Sequence, residues 1–110
     1  MKDYTVVWLE TAKENYIDIV QSMKLTMSAD AARKIFTQLV QDINQLAQFP
    51  NSNPLVRHEE FRDQGVRMLI SGEYLCFYIV EESVVEIHHI VHRKRDYCKL
   101  FTFHPGGKRF

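Results

Sequence analysis

The residue types able to do chemistry concentrate where an apolar run gives way to a burst of polar groups. Val84-Val85-Glu86-Ile87-His88-His89-Ile90-Val91 leads directly into His92-Arg93-Lys94-Arg95-Asp96-Tyr97. An imidazole titrates near neutral pH and serves as base or acid. Guanidinium groups grip phosphate oxygens bidentately, and ammonium groups add fixed positive charge. Proton-transfer groups and cations at one sheet edge are what binding or cleaving a phosphate backbone requires. In that scheme His92 is the base or acid, and Tyr97 donates a proton or stacks on a nucleobase. Arg95 and Arg93 hold the phosphate, Lys94 and Lys99 add charge along the backbone, and Arg67 faces the same region across the sheet. A plainer reading of the same residues is a solvated basic strand end. In that version Arg95, Asp96 and Tyr97 form an ion pair and an aromatic lid that fix the tail to the sheet.

These groups need a scaffold, and the periodicity supplies one. Tyr4-Thr5-Val6-Val7-Trp8-Leu9 is β-branched and aromatic, which predicts a strand. Thr11 and Glu14 have capping-box spacing, and Ala12, Tyr16, Ile19, Val20 and Met23 continue at helical intervals. Ser28 is positioned to cap a second helix, with Asp30 in its first turn. The stripe Ala32, Ile35, Phe36, Leu39, Val40, Ile43, Leu46 and Ala47 is that helix's core face, and Phe49-Pro50 its stop. Val66 to Ile70, Tyr74 to Val80 and Val84 to Val91 read as three strands joined by the tight turns Ser71-Gly72-Glu73 and Glu81-Glu82-Ser83. Leu55 to Gln64 carries no clear period. The order β-α-α-β-β-β predicts an α+β domain, with two helices on one face of a small, mainly antiparallel four-stranded sheet. Strand alternation places His88 with Glu86, Ile90 and His92, and His89 on the opposite face as a packing residue.

The chain has 110 residues, is 45% hydrophobic and has formal net charge +0, so it is one domain with its own core and not a general polyanion binder. The charge is uneven. After His92 come Arg93, Lys94, Arg95, Lys99, Lys108 and Arg109 against Asp96 alone, which points to a local anionic partner at that end. Cys76 and Cys98 have no metal or redox spacing, and the histidines lack convincing zinc partners, so neither a metal nor another cofactor is expected. A cytoplasmic location is expected from the cysteine usage and from an N-terminus without an apolar leader. No apolar run is long enough for a membrane span. The domain is expected over residues 1–101, with 102–110 a short basic tail.

Taken together, these pieces resemble the RelE/ParE toxin superfamily of type II toxin–antitoxin systems. The resemblance rests on Val7-Trp8-Leu9 closing the first strand, Thr11-Ala12 opening the first helix and Ser28-Ala29-Asp30-Ala31-Ala32 opening the second. Leu46-Ala47-Gln48-Phe49-Pro50 follows, then the hairpin Arg67 to Tyr78, and then Ile87 to Val91 with His92-Arg93-Lys94-Arg95-Asp96-Tyr97. It implies a toxin neutralised by a cognate antitoxin with which it assembles. RelE-like members cut messenger RNA on the ribosome without a metal, and this resemblance makes such an endoribonuclease, inhibiting translation, the leading expectation. ParE-like members poison DNA gyrase and cut nothing themselves, which is the alternative. An inactive antitoxin-binding module is a third. In RelE-like nucleases an arginine follows the aromatic residue that opens the third strand. Here Leu75 follows Tyr74.

Overall fold

The computed structural model describes residues 3–95. Asp96, Tyr97, Cys98, Lys99 and the tail, including the expected boundary at 101, lie outside the described residues. The chain runs β1 (Thr5–Trp8), α1 (Glu10–Thr26), α2 (Ala29–Asn44), a 3-10 turn at Gln45–Ala47, α3 (Glu59–Asp63), β2 (Val66–Ser71), β3 (Tyr74–Glu81) and β4 (Val84–His92). The sheet order is β1-β4-β3-β2. β2, β3 and β4 form the expected antiparallel meander, while β1 pairs parallel with β4, Thr5 opposite Val84 and Trp8 opposite Ile87. The sheet is therefore mixed. β4 is a central strand, not an edge, and its polar burst sits at the strand's C-terminal end.

α2 starts as its sequence requires. Ser28 Oγ accepts the Ala31 N–H at 3.2 Å, satisfying one of the orphan donors of the first turn. α1 starts one residue before Thr11, and its N-cap, Leu9, makes no side-chain capping bond. The reason is tertiary. The Leu9 N–H donates to Ile87 O at 3.0 Å, so pairing with β4 holds Leu9 extended until the helix begins.

Both sheet faces are covered. Ala12, Leu39, Ile43 and Leu46 from the helical side pack on Cys76, Tyr78, Val85, Ile87 and Ile90. On the opposite face Leu75, Phe77, Ile79 and Val91 pack with Val56, Phe61 and Val66. The segment that showed no period therefore has a role: Val56 N–H donates to Val66 O at 2.9 Å along β2, and α3 delivers Phe61. A five-residue helix with one buried residue leaves no periodic trace.

β4 departs from simple alternation at His88. His89 lies opposite Phe77 and Ile87 opposite Tyr78, so His88 has no counterpart on β3. This one-residue bulge reverses the phase of the strand. Ile90 joins Ile87 on the helical face, and Val91 turns to the other. The expected sharing of one face by Glu86, His88, Ile90 and His92 is thereby corrected. His88 is fully buried, its Nε2 3.3 Å from Glu86 Oε1.

Burial pushes the Cys76 thiol far above its ordinary 9.0. It also raises the Tyr78 phenol above 10.0, with Cys76 adding to the rise, while the Asn53 hydrogen bond and the Arg67 charge oppose it. Both groups lose protons more readily in the unfolded chain. Their contribution to stability should be level below pH 9.0 and fall above it, as the unfolded state sheds protons that the fold retains. Melting temperatures from about pH 7 to about pH 11 test this; a melting point unchanged at the alkaline end would contradict it.

Candidate functional site

The site is built on one row across the end of the sheet. Ser71 on β2 lies opposite Tyr74 on β3, and Tyr74 lies opposite His92 on β4. The bulge sets the phase that puts His92 on the helical side with Ile90. Tyr74 and His92 meet edge to face with ring centroids 5.5 Å apart, a favourable aromatic geometry. His92 Nδ1 accepts the Lys94 N–H at 3.2 Å. That bond assigns the proton of the neutral ring to Nε2, which lies 3.8 Å from Glu73 Oε1. Burial, then the Glu73 charge, raises the Tyr74 phenol above its ordinary value, so it is protonated at neutral pH.

After His92 the chain turns back on itself. Arg95 N–H donates to His92 O at 3.0 Å, and Arg93 N–H donates to Glu73 O at 2.8 Å. The Arg93 guanidinium reaches Gly72 O at 3.4 Å. Gly72 adopts φ 58°, a left-handed conformation that favours glycine, so the two-residue turn can present these carbonyls. Arg93, Lys94 and Arg95 are all exposed.

Two open clefts flank the Tyr74–His92 pair. One, of about 540 Å³, lies between α1 and the end of β4 and includes Asn15, Asp18, Ser22 and Arg95. Its floor exists because β1 stops opposite Ile87, leaving β4 to continue alone past that edge, where the Ile90 N–H is taken up by Asn15 Oδ1 at 3.0 Å. The other, of about 420 Å³, lies between α2 and the β2–β3 turn and includes Met27, Lys34, Ile35 and Glu73. Ile35, placed by periodicity in the core stripe, is 36% exposed and lines this second cleft.

The structure thus brings His92 and Arg95 into one cleft, while Arg93 is held by the Gly72–Glu73 turn and Lys94 is exposed between them. Arg67 does not join them. It stands opposite Tyr78, four positions along β2 from Ser71, about 13 Å at ordinary strand rise. Its guanidinium donates to Asn53 O at 2.6 Å and Asn51 O at 3.4 Å, beside the Tyr78 hydroxyl, which donates to Pro50 O at 2.7 Å. Arg67 is a buttress for the loop after α2, and its expected place near His92 is corrected. Tyr97 and Lys99 lie outside the described residues. Leu75 is buried on the face away from α1 and α2, within the Phe77 cluster. His58, at the head of α3, stacks on Phe61 with centroids 4.5 Å apart. Among the described residues no group of three or more His, Cys, Asp or Glu gathers as a metal would need. No helix among them is long and apolar enough to cross a membrane.

Sequence reasoning missed Tyr74, Glu73 and Ser71 as members of the site. They come from the β2–β3 hairpin, far from His92 in sequence. The signal was the tight turn, which periodicity bounds as Ser71-Gly72-Glu73; β2 in fact runs to Ser71, so the connection has two residues and places Tyr74 opposite Ser71.

Comparisons agree with this architecture. The chain of the chromosomal ParDE toxin–antitoxin system from P. aeruginosa superposes with a TM-score of 0.70 at 17% identity, covering 81% of this chain and 95% of that one. The RelBE2 toxin–antitoxin complex from Mycobacterium tuberculosis gives a TM-score of 0.57 at 19% identity, covering 83% and 99%. Identities this low establish the shared fold. No curated protein sequence matches. The family model for the ParE toxin of the type II toxin–antitoxin system parDE matches residues 6–97. This chain is accordingly a member of the ParE toxin family, within the RelE/ParE superfamily of type II toxin–antitoxin systems.

Proposed function

We propose that the chain is a ParE-like poison of DNA gyrase that acts by binding, breaks no bond itself, and is held inactive by a cognate antitoxin. The observation that carries this reading is that, among the described residues, neither Arg67 nor position 75 brings a cation to the cleft of His92 and Arg95. Metal-free RNA cleavage requires a base, an acid and positive charge converging on one phosphate. Arg67 is committed to the loop after α2, Leu75 is turned into the opposite core, and the Arg93 guanidinium contacts Gly72 O. The His92 row faces the Glu73 carboxylate, and Asp18 lines the cleft that holds Arg95. Such an arrangement suits docking of a mixed-charge protein surface better than a polyanion. The match to the ParE toxin model supports the same choice. The apolar cleft beside α2 and the basic strand end give an antitoxin segment that folds on binding a surface to cover.

The messenger RNA endoribonuclease reading has one observation in its favour, the shared cleft of His92 and Arg95. The two readings separate cleanly. Purified protein with gyrase, ATP and supercoiled plasmid should trap cleaved plasmid, and induced cells should keep intact messages. New 5′ ends inside translated messages, with no trapped plasmid, would reverse the choice. Expression alone should arrest growth and co-expression of the antitoxin should restore it; normal growth with a folded product would defeat both.

A further inference from the structure

The turn at Gly72–Glu73 is a hub for the site. Its carbonyls hold the Arg93 backbone and guanidinium, and its carboxylate faces His92. What anchors that hub to the helical layer is a side-chain pair. Ser71, 5% exposed at the end of β2, donates its hydroxyl to Asp42 Oδ2 at 2.6 Å. Asp42 Oδ1 accepts Gln38 Nε2 at 2.8 Å, one turn back along α2. Both carboxylate oxygens are therefore engaged, and the hydroxyl has a charge-assisted bond that resists rotation. Asp42 sits in the last turn of α2, where the helix dipole disfavours a negative charge. Helix stability alone would not select an aspartate there.

We propose that Asp42 is a positioning residue for the toxin's target-binding surface, acting through Ser71 and the Gly72–Glu73 turn on Arg93 and His92. The inference rests on the reading that the His92 row contacts the target. Removing the carboxylate frees Ser71, loosens the turn and breaks the Glu73 O acceptor away from the Arg93 N–H.

Four proteins test it: the natural chain, Asp42→Ala, Ser71→Ala and Asp42→Asn. Amide hydrogen exchange is read at Arg93 and, as a control, at Val56, which is bonded to Val66 O in a separate cluster. Growth arrest is titrated in cells, and plasmid trapping is titrated with gyrase. In Asp42→Ala and Ser71→Ala, Arg93 exchange should quicken roughly tenfold while Val56 is unchanged, the mark of local rather than global opening. Growth arrest should weaken in proportion. Asp42→Asn keeps a carbonyl oxygen for Ser71 and should restore both. If Asp42→Ala does not fold, Ser71→Ala, which loses only a hydroxyl, carries the same measurement. Unchanged Arg93 exchange in Ser71→Ala, or exchange that rises equally at Arg93 and Val56, overturns the proposal. If the natural chain arrests growth without touching gyrase, the target reading fails, yet the exchange and growth-arrest comparison still judges Asp42.

Discussion

Replacing Phe77 by alanine should cost about 3–5 kcal/mol of stability, the range for emptying a large aromatic from a packed core. Phe77 is 0% exposed and sits among Val56, Phe61, Val66, Leu75, Ile79 and Val91 on the face opposite α1 and α2. These neighbours come from four separate stretches of chain, so they cannot close over the gap together. Against a typical total of about 5–15 kcal/mol, the loss removes much of the fold's margin. For a domain of this size it lowers the melting temperature by at least about 12 °C. Ile70→Ala is the matched control, because Ile70 lies on the same face of β2 but is 53% exposed, and its melting point should move little. A Phe77→Ala protein that melts within a few degrees of the natural one would mean that the second face is not a true core.

The second large effect is on toxicity alone. His92→Gln and Arg95→Gln should each weaken growth arrest about tenfold, equivalent to roughly 1.4 kcal/mol of lost target binding. Arg95 is exposed and His92 half-buried, so stability should stay within about 0.5 kcal/mol of the natural chain. Together the two changes remove the imidazole and the guanidinium that share the α1–β4 cleft. The opposing view makes Arg95 part of a lid over the sheet, and it expects toxicity and melting point to fall in step. Measuring both properties in each variant decides between them. Toxicity lost only in proportion to lost stability would strike His92 and Arg95 from the site.

Where the sequence was legible, neighbours in the chain were neighbours in space. The α2 stripe and the Ser28 cap are local patterns, and so are the three strands with their two tight turns. His92, Arg93, Lys94 and Arg95 stand together for the same reason: one strand end delivers all four. What was not legible came from long-range contacts. Nothing in Thr5 to Trp8 says that its partner is β4 in parallel. Thr11 and Glu14 have capping-box spacing, yet the Leu9–Ile87 bond starts the helix earlier and Thr11 lies inside it. Strict alternation along β4 is the correct local expectation, and it fails at a single inserted residue, His88. Arg67 looked available because its loop acceptors, Asn51 O and Asn53 O, are backbone atoms that no residue type announces.

The parallel pairing of β1 with β4 also fixes an order of events during synthesis. Thr5 donates its N–H to Ser83 O at 2.8 Å and stands opposite Val84. The first strand to be made therefore has no place in the sheet until β4 exists. Long-range closures of this kind are slow because the intervening chain must be ordered first. The α1–α2 hairpin and the β2–β3 hairpin need no such wait. An incomplete chain carries an unpaired, apolar N-terminal strand and lacks His92 altogether. The completed sheet and the His92 row come into being with the same strand, β4.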